Sequence, residues 1–598
     1  MAAKAGVTKR RVSHINTSVN DVPSMSFMEG LFGDEFPEAF AAAVGSAARG
    51  TKSILDLPAE LLAIISEDLS KMDLRRLRLT SKHLAMNVDL RINRIFISPA
   101  RANLECLRRI LDHPRYRFQV QEIVWDDAQL NEYRDLESFR DAILIGEHNT
   151  KMEIERLLQD ANQDYHRYDP GAPDYEHDDY FDRDGRLTEL AKGVLLRRDD
   201  QVSKDIIARN ATMMSVEESY GIYQTLYQEE QRNMKTNVDS AAFQHTLAVC
   251  PNLERVTLTS EVWRPWNFQP AYLTPFYHSL PPGFRKPTEW PWFGHPPQIT
   301  LAQVARRDEV MKTTISDESG SLPREFRGYS IVVSALASIS TPTKISELII
   351  YTGNETTGIG HQLFASPNAD FTNTLTMARL IPLKRLKLSI NSYGADHSTT
   401  ASYLRSGQFH TLLSSLSHLE HLDLSPNCSP RRGDSLSIEA WVFYWADIIP
   451  ADLLPRLKTF TLRNVNIFFG ELLELISSMT CAQHITLDNI SMDSHDGLSP
   501  TYFRLFERLW IYYEFAQVPC TRPKFTVVEP VKGGYKSRMV FEELNHYLHT
   551  EEFHINVPFE DRVEEQIRGA CGWLVDDRDL DFLQRVGVSW HVGGPEGW

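Results

Sequence analysis

A short apolar motif that recurs at a nearly constant interval constrains this chain more than any other feature. The pattern is apolar, two residues, apolar, one residue, apolar. It reads Leu253-x-x-Val256-x-Leu258, Ile345-x-x-Leu348-x-Ile350, Leu383-x-x-Leu386-x-Leu388, Leu419-x-x-Leu422-x-Leu424 and Leu457-x-x-Phe460-x-Leu462. Ala482-x-x-Ile485-x-Leu487 is a degenerate last copy. The middle positions 348, 386, 422 and 460 follow one another at intervals of 38, 36 and 38 residues. Apolar residues two apart mark a strand with one buried face. Helix-like stretches lie between copies, at 403–416, 438–449 and 470–479. A strand and a helix repeated at a fixed period make a unit that buries its apolar face only by stacking on its neighbours. The alternative is a non-repetitive α/β domain in which such triplets recur by chance.

The rest of the chain is organised around this array. Residues 1–24 are polar, and 27–48 hold an apolar patch (Phe27, Met28, Leu31, Phe32, Phe36, Phe40) before an Ala/Gly-rich linker. A short peptide motif is the alternative there, but 1–50 is expected to be a disordered leader. Residues 53–98 change character. Leu57-Pro58-Ala59-Glu60-Leu61-Leu62 opens a helix, with proline in the first turn where its missing N–H goes unneeded. Leu61, Leu62, Ile65 and Leu69 follow at helical spacing. Asp73 is the expected cap of a second helix holding Leu74, Leu77 and Leu79, and Ser81 of a third. Residues 94–98 read as a short strand. Residues 99–250 are expected to be mainly helical (135–166, 187–210, 215–249) with one strand at 120–126. The array itself occupies 251–499, interrupted at 263–297 by an insertion with four tryptophans and nine prolines. Tryptophans supply contact area cheaply, so that insertion is either a recognition surface or, the reading preferred here, an irregular packed loop. Residues 500–598 are expected to cap the array, with helices at 502–514, 562–575 and 579–586 and strands at 525–529 and 553–557.

Composition narrows the function classes. The chain has 598 residues, enough for two or more units or one long array. Asp plus Glu outnumber Lys plus Arg by 80 to 63, a net charge of −17 that repels phosphate backbones, so nucleic acid is not an expected partner. No apolar run reaches the roughly eighteen residues of a membrane span. The first twenty residues are basic but lack the apolar core of a signal peptide and a clear amphipathic face. The six cysteines are scattered, with no zinc or redox spacing, which fits reduced thiols in the cytoplasm or nucleus.

The string Leu57-Pro58-x-Glu60-Leu61-Leu62, Ile65, Leu69, Asp73-Leu74-x-x-Leu77-Arg78-Leu79-x-Ser81-Lys82 resembles the F-box, particularly in its fungal form. The resemblance covers about 45 residues. Its one departure is Ser70-Lys71-Met72, where many members carry proline. The recurring motif likewise matches the strand of a leucine-rich repeat, at a longer period than usual, so the repeats would be irregular. F-box proteins often pair the box with such repeats. The resemblance implies an α/β (α+β overall) chain: a small all-α three-helix box, then an irregular leucine-rich-repeat-like α/β solenoid. It implies a non-catalytic substrate receptor that docks on the adaptor Skp1, and through it on a cullin that carries a RING subunit and a ubiquitin-conjugating enzyme. An unknown protein substrate would sit on the repeats. The adaptor-binding residues would be Leu57, Pro58, Leu61, Leu62, Ile65, Leu69, Leu74 and Leu77, although some of these must pack the box's own core. The alternative is a Skp1-binding or repeat scaffold with no ligase role.

Phosphate-cradling loops, dinucleotide fingerprints and nucleophile elbows are absent from the sequence. His418-Leu419-Glu420-His421 is read as surface histidines across a strand start, and 178–185 as a solvated acidic loop that fails calcium-loop spacing. No catalytic residue, metal ligand or cofactor site is nominated.

Overall fold

A computed structural model describes residues 54–168, 180–259, 272, 274–287, 326–340, 343–351, 358–364, 368–391, 405–426, 444–493, 502–515, 522–530, 536–549 and 573–576. The leader, the four tryptophans of the insertion, the strand expected at 553–557 and the helix at 579–586 lie outside the described residues. The chain divides into two compact units, Met1–Arg91 and Ile92–Trp598.

The described part of the first unit holds three short helices: α1 (Ala59–Glu67), α2 (Lys71–Thr80) and α3 (Lys82–Asn87). Pro58 stands at the N-cap of α1 in an extended conformation and ends the preceding turn without breaking the helix. The cap of α2 is Ser70, not Asp73. The Ser70 hydroxyl accepts the Asp73 N–H at 3.1 Å and donates to the Asp73 carboxylate at 2.7 Å. Asp73 is thus the partner of the cap, not the cap itself. Ser81 caps α3 through the Leu84 N–H at 3.1 Å. Leu62, Leu74, Leu84 and Val88 form the core, with Ile54, Leu57, Leu69 and Leu77 packed against it. The Arg91 guanidinium donates to the carbonyls of Ser66 and Glu67, two of the orphan acceptors at the end of α1.

The second unit is organised by one sheet. Its strands are β1 (Arg94–Ile97), β2 (Glu122–Asp126), β3 (Arg255–Thr259), β4 (Glu347–Tyr351), β5 (Ile359–Gly360), β6 (Arg385–Asn391), β7 (His421–Ser425), β8 (Thr459–Phe468), β9 (His484–Asp493), β10 (Lys524–Pro530), β11 (Lys536–Val540) and β12 (Trp573–Asp576). They lie in sequence order, with β5 beside β6. All pairs from β1 to β10 are parallel, and only β10–β11 and β11–β12 are antiparallel.

The recurring motif falls on this sheet in one register. Val256, Leu348, Leu386, Leu422, Phe460 and Ile485 are successive partners across neighbouring strands. Ile95 and Ile123 extend the row on one side and Phe525 on the other. The last apolar position of each motif makes a parallel row, including Ile97, Trp125, Leu258 and Ile350 and then Leu388, Leu424, Leu462, Leu487 and Val527. Every one of these side chains is buried. Two copies thus precede those expected: Ile92-x-x-Ile95-x-Ile97 and Val120-x-x-Ile123-x-Trp125. Residues 94–97, assigned with the helical box from sequence, pair with β2 in the second unit. Likewise 573–575, expected to end a helix, pair antiparallel with β11, in keeping with the strand propensity of Trp and Val.

The connections hold the helices. After β1 comes α4 (Arg101–Asp112). Between β2 and β3 lie α5 (Leu136–Gly146), α6 (His148–Tyr168), α7 (Glu189–Arg198), α8 (Gln201–Thr212), α9 (Val216–Lys235) and α10 (Val238–Val249). Further along come α11 (Pro275–Ser279), α12 (Arg327–Ala337), α13 (Ala369–Leu380), α14 (Gln408–Ser415), α15 (Phe469–Ser477), α16 (Tyr502–Phe515) and α17 (Glu542–His549). The helices expected at 403–416, 470–479 and 502–514 correspond to α14, α15 and α16. Of 438–449, the described part holds a single 3-10 turn at Trp445–Asp447.

Strands β8 and β9 pass through Asn464 and Asn489, both in the left-handed region at φ 51° and 52°. Asparagine tolerates that region better than other residues with a Cβ. The Asn489 amide donates to Asn464 Oδ1 at 2.8 Å, and the Asn464 amide reaches Ser425 Oγ at 3.4 Å. Asn464→Ala is expected to destabilise the second unit by about 1–3 kcal/mol, adding left-handed strain to lost hydrogen bonds. Asn464→Gly should recover part of the loss. Urea unfolding of the two variants checks both.

Candidate functional site

The first unit divides its apolar residues between a core and a surface. Leu62 and Leu74 are 1% exposed and belong to the core, so neither is available to a partner. Leu57, Leu69 and Leu77 are half-buried against that core, Pro58 is exposed, and Leu61 and Ile65 are half-buried. Four large apolar side chains of the unit stand in solvent: Leu55, Ile64, Leu79 and Met86, at 40%, 58%, 86% and 67% exposure. Single exposed leucines are ordinary, but this unit holds four of the eleven such residues described in the whole chain, in residues 54–91 alone. On α1, Leu61, Ile64 and Ile65 stand at i, i+3 and i+4 and share a face. Leu62, one step round the helix, turns inward. Ile64, Leu79 and Met86 are not among the contacts expected from sequence. The spacing of Ile64 from Leu61 carried the signal for the first. Nothing local distinguishes Leu79 and Met86 from core residues.

In the second unit the side chains opposite the apolar rows form rows of their own. Arg94, Glu122, Arg255, Glu347, Arg385, His421, Thr459, His484 and Lys524 are successive register partners. Arg94 Nε lies 2.7 Å from Glu122 and Arg255 Nε 2.7 Å from Glu347. His421 Nδ1 lies 2.8 Å from Thr459 Oγ1, and His484 Nε2 2.9 Å from Thr526 Oγ1. Burial, then the neighbouring cations Arg385 and Lys458, hold His421 below the usual histidine range despite Glu420. The next row inward starts with Phe96 and Val124 and is covered by Tyr272. The Tyr272 ring meets Phe96 edge-on at 6.2 Å, with the Arg94 guanidinium 5.3 Å from its centre. Burial, then the Glu122 charge, pushes its hydroxyl up to about 12.

The residues after Tyr272 are tied down at several points. The Phe276 N–H donates to Asn103 Oδ1 at 2.8 Å on α4. Gly283, at φ 76°, accepts the Met214 N–H at 2.8 Å, and a Cβ there would meet the Thr212 carbonyl. Arg285 forks onto Glu147 at 3.1 and 2.8 Å. The described part of the insertion is therefore packed.

The acidic groups after β2 and in the acidic loop have structural roles. Asp127 Oδ1 accepts the Gly328 N–H at 2.8 Å and the Trp125 indole N–H at 3.3 Å, and so anchors the start of α12. Asp126 accepts the Ala128 N–H at 3.0 Å. Burial chiefly, with the Asp127 charge adding to it, pushes the Asp126 carboxyl up to about 8. In the acidic loop, Asp182 accepts the N–H groups of Asp184 and Arg186 at 2.9 and 2.8 Å. His418 is exposed, and Glu420 pairs with Lys458 at 2.8 Å. Among the described residues no three His, Cys, Asp or Glu side chains are grouped to hold a metal, and no helix is long and apolar enough to cross a membrane. No protein-family model matches the chain, and no curated protein matches it in a search.

Two tests follow. Leu74→Ala is expected to destabilise the first unit by about 2–5 kcal/mol, whereas Ile64→Ala, at an exposed position, changes stability by less than about 0.5 kcal/mol. Thermal melts of residues 54–91 within the full chain, followed by hydrogen exchange, read both. Asp126 holds its proton in the fold at pH values where the unfolded chain has released it. Its favourable contribution is complete below about pH 4 and lost as pH rises through about 8. The melting temperature of Asp126→Asn relative to the natural protein should therefore climb across that window, and a flat difference would remove the assignment.

Proposed function

We propose that this chain is a non-catalytic substrate receptor of a Skp1–cullin–F-box ubiquitin ligase. The observation that carries it is the first unit's exposed apolar surface: a three-helix module with a complete small core that still leaves Leu61, Ile64, Ile65, Leu79 and Met86 outside it. An amphipathic helix with such a stripe suits a groove between helices of an adaptor. Each leucine or isoleucine fully buried there contributes roughly 1.5–3 kcal/mol. The docking set is revised accordingly. Leu61 and Ile65 stay in it, Ile64, Leu79 and Met86 join it, and Leu62 and Leu74 leave it for the core.

The second unit is the target-holding part, an irregular leucine-rich-repeat-like solenoid. Its two buried apolar rows and single register support that reading. Ubiquitin is transferred by partner subunits, and this chain supplies proximity. Tethering a target beside a charged conjugating enzyme makes an intermolecular reaction effectively intramolecular. No cofactor enters the scheme, and the setting is cytoplasmic or nuclear.

Affinity purification of the full chain from cells is expected to return a Skp1-type adaptor together with a cullin. Leu61→Asp combined with Ile64→Asp should remove both while the circular dichroism spectrum is kept. Adaptor without cullin would identify a scaffold outside any ligase, and no adaptor with the natural chain would sink the proposal.

A further inference from the structure

The outward row at the N-terminal ends of the strands changes character along the sheet. Over β1 to β4 it alternates in sign, Arg94, Glu122, Arg255, Glu347, with the paired distances given above. From β6 onward it continues as Arg385, His421, Thr459, His484 and Lys524, with no carboxylate in it. The residues just before these strands add Lys384 and Lys458. The nearby acids are already engaged. Glu347 lies 2.7 Å from Arg255 and only 3.9 Å from Arg385, and Glu420 lies 2.8 Å from Lys458. One row inward, Asp423 sits between Lys387 at 3.5 Å and Arg463 at 3.2 Å, and Asp488 also pairs with Arg463. Lys384 and Lys524 are exposed, and Lys384 adds to the positive charge felt by Glu420. The Arg385 side chain is 45% exposed. In a chain of net charge −17, these residues make a local cationic strip.

We propose that this strip on β6 to β10 binds an extended segment rich in Asp and Glu, belonging to a protein target and laid across the strand ends. The inference rests on the reading of the second unit as the target-holding part. Five neighbouring strands span about 19 Å, which about six extended residues would cover. Carboxylates along such a segment meet Lys384 and Arg385 at one end and Lys524 at the other. Between them lie Thr459 and two imidazoles, with His421 Nδ1 hydrogen-bonded to Thr459 and His484 Nε2 to Thr526, and the one carboxylate there, Glu420, is paired with Lys458. Complementary potentials of this kind set register and speed encounter. The row next to it is closed over β1 and β2 by Tyr272, and at β9 the Phe541 ring stacks on His484.

The test uses the full chain and two fluorescein-labelled peptides, one alternating glutamate and serine, the other alternating lysine and serine. In anisotropy titrations the glutamate peptide is expected to bind, with affinity falling as salt rises. Lys384→Glu combined with Lys524→Glu should weaken it about tenfold or more. Lys235→Glu, at the exposed end of α9, should leave it unchanged. The double variant should still co-purify with the adaptor. Equal binding of the lysine peptide, no binding of the glutamate peptide, or an affinity that the double variant leaves intact would overturn the inference while the adaptor result stands by itself. Peptide binding by a chain that recruits no adaptor would instead remove only the ligase reading.

Discussion

Parallel backbone pairing in one continuous register is the constraint on which the second unit depends. Successive side chains of a strand point to opposite faces, so a slip of one residue anywhere between β1 and β10 would turn a whole strand's apolar pair outward. Each strand contributes two inward side chains, and neither is buried until its neighbour is in place. The same register builds the opposite face. Arg94 meets Glu122 and Arg255 meets Glu347 only because their strands align at the residues that also stack Ile95, Ile123, Val256 and Leu348. Core and surface are thus two consequences of a single pairing. The antiparallel strands β11 and β12 end the parallel run.

The small helical unit faces a different constraint. A unit of this size buries too little apolar surface to be more than marginally stable. It gives four side chains to a complete core and anchors its helix ends through Ser70, Ser81 and Arg91. What remains apolar then stays at the surface. Ile64, Leu79 and Met86 add nothing to the core, and burial against a partner would stabilise both the unit and the complex.

Much of this was legible in the sequence, and the rest was hidden for identifiable reasons. The six motif copies after residue 250 were visible because a period of two survives even in irregular repeats. The copies at Ile95 and Ile123 were obscured because 132 residues, with six helices among the described ones, separate Ile123 from Val256 and break the interval. The cap of α2 was misplaced by three residues because Ser70 and Asp73 are both good caps and only geometry orders them. The exposed apolar face of α1 was partly legible: helical spacing picks out Leu61 and Ile65, but it cannot tell which of Leu61 and Leu62 turns inward. The cationic strip on β6 to β10 was not legible at all. Its members lie 25 to 40 residues apart, from Arg385 to Lys524, and meet only through the register.

The most direct measurement is hydrogen exchange on the full chain with and without a purified Skp1-type adaptor. Protection is expected to appear in α1 to α3 and nowhere in the second unit, strongest around Leu61 to Ile65. No change in those helices, or protection confined to the sheet strands, would contradict the division into a docking unit and a target-holding unit.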